Sequence, residues 1–215
     1  MEITWYGHAA FLITTGQGLK IISDPYKPGG SIAYAAIPDE ADIVTVSHAH
    51  DDHSYVEGLP GKPQVIRGEG RHEIRGVVVE GVASYHDDAG GSQRGDNTIF
   101  IFDADGIRMC HLGDLGHILS DKEVQKIGQV DVLCIPVGGF FTIGPQEATT
   151  VADQLHPHLI FPMHVKTAKC TLPIEPVDAF LQGKSDVQKL NTSTFSFTKE
   201  ELEAGLGIVV LQPAL

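Results

Sequence analysis

Apolar residues along the chain fall into short runs bounded by Gly, Pro, Asp or Asn. They are EITWY, AFLITT, LKIIS, DIVTVS, PQVIR, VVVEGVASY, TIFIFD, IRMCHL, DVLCIPV, LIFPM and GIVVLQ. Runs of this length with such punctuation predict β-strands. Three segments carry a helical period instead. After Gly144 and Pro145, apolar residues recur at Ala148, Val151, Ala152 and Leu155, the i, i+3, i+4, i+7 stripe of a helix with Pro in its first turn. Ser120 with Glu123 three positions on reads as a capping box opening a short helix that ends near Ile127. Residues 175–181 predict a third, with Val177, Phe180 and Leu181 inward. Residues 25–39, PYKPGGSIAYAAIPD, follow neither period and are expected to form an active-site loop rather than a linker. The C-terminal GIVVLQPAL reads as a core strand or, second, as an interface strand, which leaves a homo-oligomer open. Strands with helices interspersed predict one layered α/β domain over residues 1–215, two sheets face to face with helices outside.

One cluster of polar residues departs from this punctuation. Residues 48–53 read HAHDDH directly after an apolar strand, so His48, His50, Asp52 and His53 leave the strand end together. Alternate residues of an extended segment point the same way, so His48 and His50 can share one ion while Asp52 and His53 face a neighbouring one. Imidazole with carboxylate favours Zn, Fe or Mn over Ca or Mg. Two ions need more donors than this cluster supplies, and His86, Asp114 and His164 each follow a further apolar strand. Strand ends converging on one rim are where α/β folds assemble sites.

Charge narrows the partners. The 215 residues carry 15 Lys and Arg against 28 Asp and Glu, a formal net charge of −13. That balance repels phosphate backbones, so nucleic acid is not an expected partner. No apolar run approaches the roughly 20 residues of a membrane span, and the N-terminus lacks a signal peptide's basic flank, so a soluble, cytoplasmic protein is expected. The 3 cysteines, far apart and odd in number, suggest neither a disulfide framework nor a metal knuckle.

HAHDDH with His86, Asp114 and His164 downstream resembles the HxHxDH pattern of the metallo-β-lactamase fold superfamily. WYGHAAF, SYHDDAGG, RGDNTIF, HLGDLGH, PVGGFFTIGP and FPMHVKT resemble its branch of metal-dependent hydrolases related to the L-ascorbate-6-phosphate lactonases. The resemblance implies a four-layer αββα sandwich. It also implies a site for two divalent transition-metal ions, Zn first, with Mn, Fe or Ni accepted. His48, His50 and His86 would hold the first metal, Asp52, His53 and His164 the second, with Asp114 bridging. Flavodiiron relatives carry Glu where this chain has His50, which favours hydrolysis over redox chemistry. Nuclease branches add inserts or arms for which this chain has no spare length.

The expected reaction is attack by a metal-bridging hydroxide, oriented by Asp52, on a small anionic metabolite, a lactone or other cyclic ester first and a phosphodiester second. The alternative is a non-catalytic metal-binding sensor or scaffold. Around the metals, His8 is expected to contact substrate or donate a proton, and His117 to relay protons from behind Asp114. Arg94 and Lys166 are expected to receive the substrate's anionic group, Asn97 to hydrogen-bond within the site, and Phe141 to wall it.

Overall fold

The computed structural model describes residues 1–215. A first, six-stranded sheet is built from β1 (Glu2–Gly7), β2 (Ala10–Thr14), β3 (Lys20–Ser23), β4 (Ile43–Val46) and β5 (Gln64–Arg67). A late strand, β13 (Thr194–Ser196), closes it beside β1. The second sheet has eight strands: β6 (Gly70–Ile74), β7 (Val77–Tyr85), β8 (Asp96–Ala104), β9 (Ile107–His111), β10 (Val132–Pro136), β11 (Leu159–Met163), β12 (Val187–Lys189) and β14 (Gly207–Val210). From β9 through β10, β11, β14 and β12 it is parallel, whereas β6 to β9 form an antiparallel meander. The helices are α1 (Asp121–Ile127), α2 (Pro145–Leu155), α3 (Asp178–Leu181) and α4 (Lys199–Glu203).

The period of two decides how the layers stack. In β2, Phe11 and Ile13 face the main core while Ala10 and Leu12 face a second cluster. In β3 and β4, Ile21 and Ile43 divide from Ile22 and Val44 in the same way. The six-stranded sheet is therefore buried on both faces. One face meets the second sheet in a core of 47 buried residues that also takes the apolar stripe of α2. The expected sandwich is present with one variation: the outer face of the first sheet is covered by residues 25–39 rather than by a helix. Tyr26, Ile32, Tyr34 and Ile37 pack there against Leu12, Ile22 and Val44. That segment is a structural cover and supplies no wall of the cleft described below, which corrects its reading as an active-site loop. The C-terminal strand β14 lies between β12 and β11, a core strand and not an interface strand. No helix is long and apolar enough to cross a membrane.

Three of four helices start as their caps dictate. Ser120 closes a capping box with Glu123 on α1, and Thr198 does the same with Glu201 on α4. Pro145 opens α2. The helix expected over 175–181 begins three residues late. Glu175 is held in an extended tie, its N–H donating to Gly138 O and its carbonyl accepting from Lys166 N.

Candidate metal centre

The C-terminal ends of β1, β3, β4, β7, β9 and β11 open on one rim. The residues that follow them are His8, Asp24, the 48–53 turn, His86, the 112–114 turn and His164. Three of these, His8, Asp24 and His164, hold positive φ of 54°, 43° and 52°. Non-glycine residues pay for that conformation, and such strain gathers where side chains must be aimed.

Asp114 sits at the middle. Its Oδ2 is 3.2 Å from His53 Nε2, 3.2 Å from His86 Nε2, 3.4 Å from His164 Nε2 and 3.8 Å from His48 Nε2. The carboxylate is held from behind: Asn97 Oδ1 accepts from Asp114 N at 3.0 Å, and Asn97 Nδ2 donates to Ser84 Oγ and Leu112 O. Gly113, with φ of 57°, is needed at this turn, because a Cβ would lie 2.4 Å from Asn97 Oδ1 and 2.6 Å from Ser47 Cβ.

Donor atoms within 4.8 Å of one another form three groups: His48, His50 and His86; His48, His53 and Asp114; and His8, His53 and His164. Asp52 stands at the edge of the last, its Oδ2 3.9 Å from His53 Nε2 and 3.2 Å from His8 Nε2. His8 thus comes within donor distance of the second expected ligand set, where the sequence suggested a substrate contact. It is fully buried and does not line the cleft over the centre, which it meets through its contact with Asp52.

The residues fit metal ions. Buried polar atoms with no hydrogen-bond partner concentrate here, including His48 Nε2, His53 Nε2 and Asp114 Oδ1. Such orphans are costly in a protein interior unless a ligand completes them. Burial also pushes the imidazoles of His48 and His8 down, to about 3 and about 4, which keeps them neutral as donors. Asp114 is desolvated, yet His164 and His53 outweigh that and hold it well below the usual carboxylate range.

Asp24, absent from the residues expected at the site, completes the centre from behind. It is fully buried; its Oδ1 accepts from Ser47 N at 2.8 Å, and its Oδ2 faces Ser47 Oγ at 2.6 Å and His53 Nδ1 at 2.9 Å. A carboxylate on one imidazole nitrogen leaves the other for a metal. Ser47 Oγ similarly meets His48 Nδ1 at 2.9 Å. The only sequence signal for Asp24 is its place after the apolar run LKIIS, the same one that pointed to Asp114.

His53 lies between Asp24 and Asp114, and their charges overcome its burial and raise its pKa well above 6.5. In metal-free protein near neutral pH it is protonated, so metal binding there must displace a proton. Affinity measured by chelator competition should weaken about tenfold per unit fall in pH for each proton displaced, below the raised pKa. A pH-independent affinity between pH 6 and 8 would contradict this protonation state.

Over the centre lies a cleft of about 370 Å³ lined by His50, Asp52, His86, Asp114 and His164, with Gln93, Arg94, Phe141 and Leu172 at its walls. Arg94 is half-buried and its partners are neutral: Nη2 donates to Phe140 O at 3.1 Å, and the guanidinium carbon stands 5.9 Å from the Phe141 ring centroid. Its loop is fixed by Asp87, whose carboxylate accepts the backbone N–H groups of Ala89, Gly91, Gln93 and Arg94. Burial opposes the Asp87 charge, but those donors prevail and bring it to about 2.

Two expected substrate contacts are corrected. Asn97 does hydrogen-bond within the site, but it spends its amide on Ser84, Leu112 and Asp114 and is buried behind the Asp114 carboxylate, where no substrate reaches it. Lys166 is exposed and outside the cleft lining, because the chain turns away after His164 as Lys166 N pairs with Glu175 O. His117 also lies outside this cleft; its Nδ1 donates to Ile118 O and its Nε2 accepts from Tyr85 N, which anchors the residue preceding His86.

The beta-lactamase superfamily domain matches residues 2–164. A metal-dependent hydrolase from Thermococcus onnurineus is 30% identical over 195 residues, covering 78% of this chain and 85% of the relative. A crystal structure from Thermotoga maritima, assigned to the Zn-dependent hydrolases of the metallo-β-lactamase superfamily, superposes with a TM-score of 0.80. It is 37% identical over 98% of this chain and 97% of that one. A structure from Veillonella parvula, 14% identical with a TM-score of 0.72 over 100% and 98% of the two chains, shares the fold. With this domain match and the rim of His and Asp behind it, the chain belongs to the metallo-β-lactamase superfamily. Its relatives within that superfamily carry the name of metal-dependent hydrolases.

Proposed function

We propose that the chain hydrolyses a small anionic ester, a lactone or other cyclic ester before a phosphodiester, at a centre of two transition-metal ions. The observation that carries this reading is the position of Asp114 Oδ2, within 3.2 to 3.8 Å of four imidazoles that otherwise divide into two groups. A single carboxylate between two donor sets suits a pair of ions. Ions held there would supply Lewis acidity toward a carbonyl or phosphoryl oxygen and lower the pKa of water toward about 7.

The chain's own residues supply the rest. Asp52 faces the cleft with Oδ2 tied to His8 Nε2, which orients it toward an attacking water. The water oxygen bonds to the acyl carbon or phosphorus, and the bond to the leaving oxygen breaks. The proton given up by the water, held meanwhile by the Asp52 carboxylate, ends on that leaving oxygen. Arg94 receives the anionic group at the cleft wall, and Phe141 beside it, with Leu172, excludes water from the cleft.

A panel of lactones and phosphodiesters, assayed with protein loaded with Zn or Mn, tests the reading. Turnover of one class that chelation abolishes is expected. Metal-loaded protein inert toward both would leave the sensor or scaffold alternative. For the best substrate, Arg94→Ala should raise KM about tenfold or more with a smaller change in kcat, since a charge-assisted hydrogen bond is lost. An unchanged KM would remove Arg94 from the substrate site.

A further inference from the structure

A second, larger cleft of about 540 Å³ adjoins the first and shares Arg94 and Phe141 with it. Those two side chains stand between a polar chamber at the metal centre and a chamber where Ile118, Phe140, Phe141 and Ile143 form an apolar side beside the polar Asp87, Asp88, His117 and Glu147. Exposed apolar surface is concentrated here. Four large apolar side chains of the chain are exposed, and two of them, Ile118 at 45% and Phe140 at 64%, line this cleft. A third, Tyr85, packs 6.0 Å from the His117 ring, which lines it as well. Water-facing apolar side chains collected in one concavity mark a binding site.

The backbone holds this wall at a cost. Phe140 has φ of 63° after Gly139 at 64°, a conformation unfavourable for an aromatic residue. The turn is kept by Phe141 N donating to Gly139 O and Ile143 N to Leu115 O, while Phe140 O holds Arg94. These hydrogen bonds thus hold the strained turn that presents the Phe140 ring and, through Phe140 O, the guanidinium between the two chambers.

We infer that this second cleft binds the non-reacting part of the substrate: an uncharged, apolar ring or chain attached next to the anionic group that Arg94 receives. The carboxylates of Asp87, Asp88 and Glu147 at the cleft lining disfavour a second negative charge there. The inference rests on the hydrolase reading only for which end reacts. The preferred substrate is accordingly an anionic ester with an apolar substituent, not a fully polar sugar phosphate.

Binding tests this without turnover. Calorimetry on metal-loaded protein with benzylphosphonate and methylphosphonate compares ligands that differ only in the apolar group. Benzylphosphonate should bind at least tenfold tighter, and Ile118→Ser, a change at an exposed position that leaves the fold intact, should reduce that ratio to threefold or less. Equal affinities in the unaltered protein, the same ratio in the variant, or no binding of either phosphonate would overturn the inference. If the preference is present but no ester is hydrolysed, the hydrolase reading fails and the cleft assignment stands.

Discussion

Asp114→Ala is expected to strip metal from the centre and lower kcat roughly a thousandfold or more. The metals contribute several kcal/mol of transition-state stabilisation, and each 1.4 kcal/mol is a factor of ten. Asp114 Oδ2 is within 3.2 to 3.4 Å of His53, His86 and His164, so its loss touches both donor groups at once. The same substitution removes the carboxylate 3.2 Å from His53 Nε2 and leaves the raised imidazolium with Asp24 at 2.9 Å and, farther off, Asp52 at 3.9 Å. Removing one partner from a buried charged cluster costs about 3–5 kcal/mol, so the metal-free variant should also melt at a lower temperature. Metal content and kcat measured on one preparation check both effects. Retained activity with full metal content would contradict the bridging position.

Asp24→Asn should have the second largest effect, although Asp24 lies behind the site and outside the lining of the cleft over it. Asp24 accepts on both oxygens, from Ser47 N on one and from Ser47 Oγ and His53 Nδ1 on the other. An amide has one acceptor oxygen and one donor nitrogen. If the nitrogen faces Ser47 N, two donors oppose each other. If it faces His53 Nδ1, the imidazole is driven to carry its proton on Nε2, the atom a metal needs. Either way metal affinity should fall about 10–100-fold, the usual cost of removing the group that orients a ligand. Competition with a fluorescent chelator measures it. An affinity within twofold of the original would mean that His53 is not oriented by Asp24.

Much of the fold was legible because the strands that build it are apolar and punctuated. All eleven apolar runs became strands, and Pro145 and Ser120 placed two helices. The elements missed are those whose burial is small. β6 carries one apolar residue, Ile74, in a mostly exposed edge strand, and β12 and β13 are three residues each, too short to show a period. For α4 the capping pair Thr198 and Glu201 was present, but Leu202 is its lone buried residue, so no stripe announced it.

The centre divides the same way. Donors that stand in a run or alone at a strand end, His48, His50, His53, His86, Asp114 and His164, are all brought to one rim. Residues acting through a neighbour, such as Ser47 and Asp87, leave no pattern, and Asp24 leaves only its place at a strand end, because their partners are backbone groups and imidazoles rather than a shared motif. The direction of Lys166 is not legible for a related reason: proximity to His164 along the chain does not fix direction after a residue with φ of 52°.

Elemental metal analysis of freshly purified protein, beside a His48→Ala control, tests the two-metal centre most directly. Close to two transition-metal ions per chain, with a clear fall in the control, is the predicted result. Protein that contains none and takes up no Zn, Mn or Fe on reconstitution would contradict it.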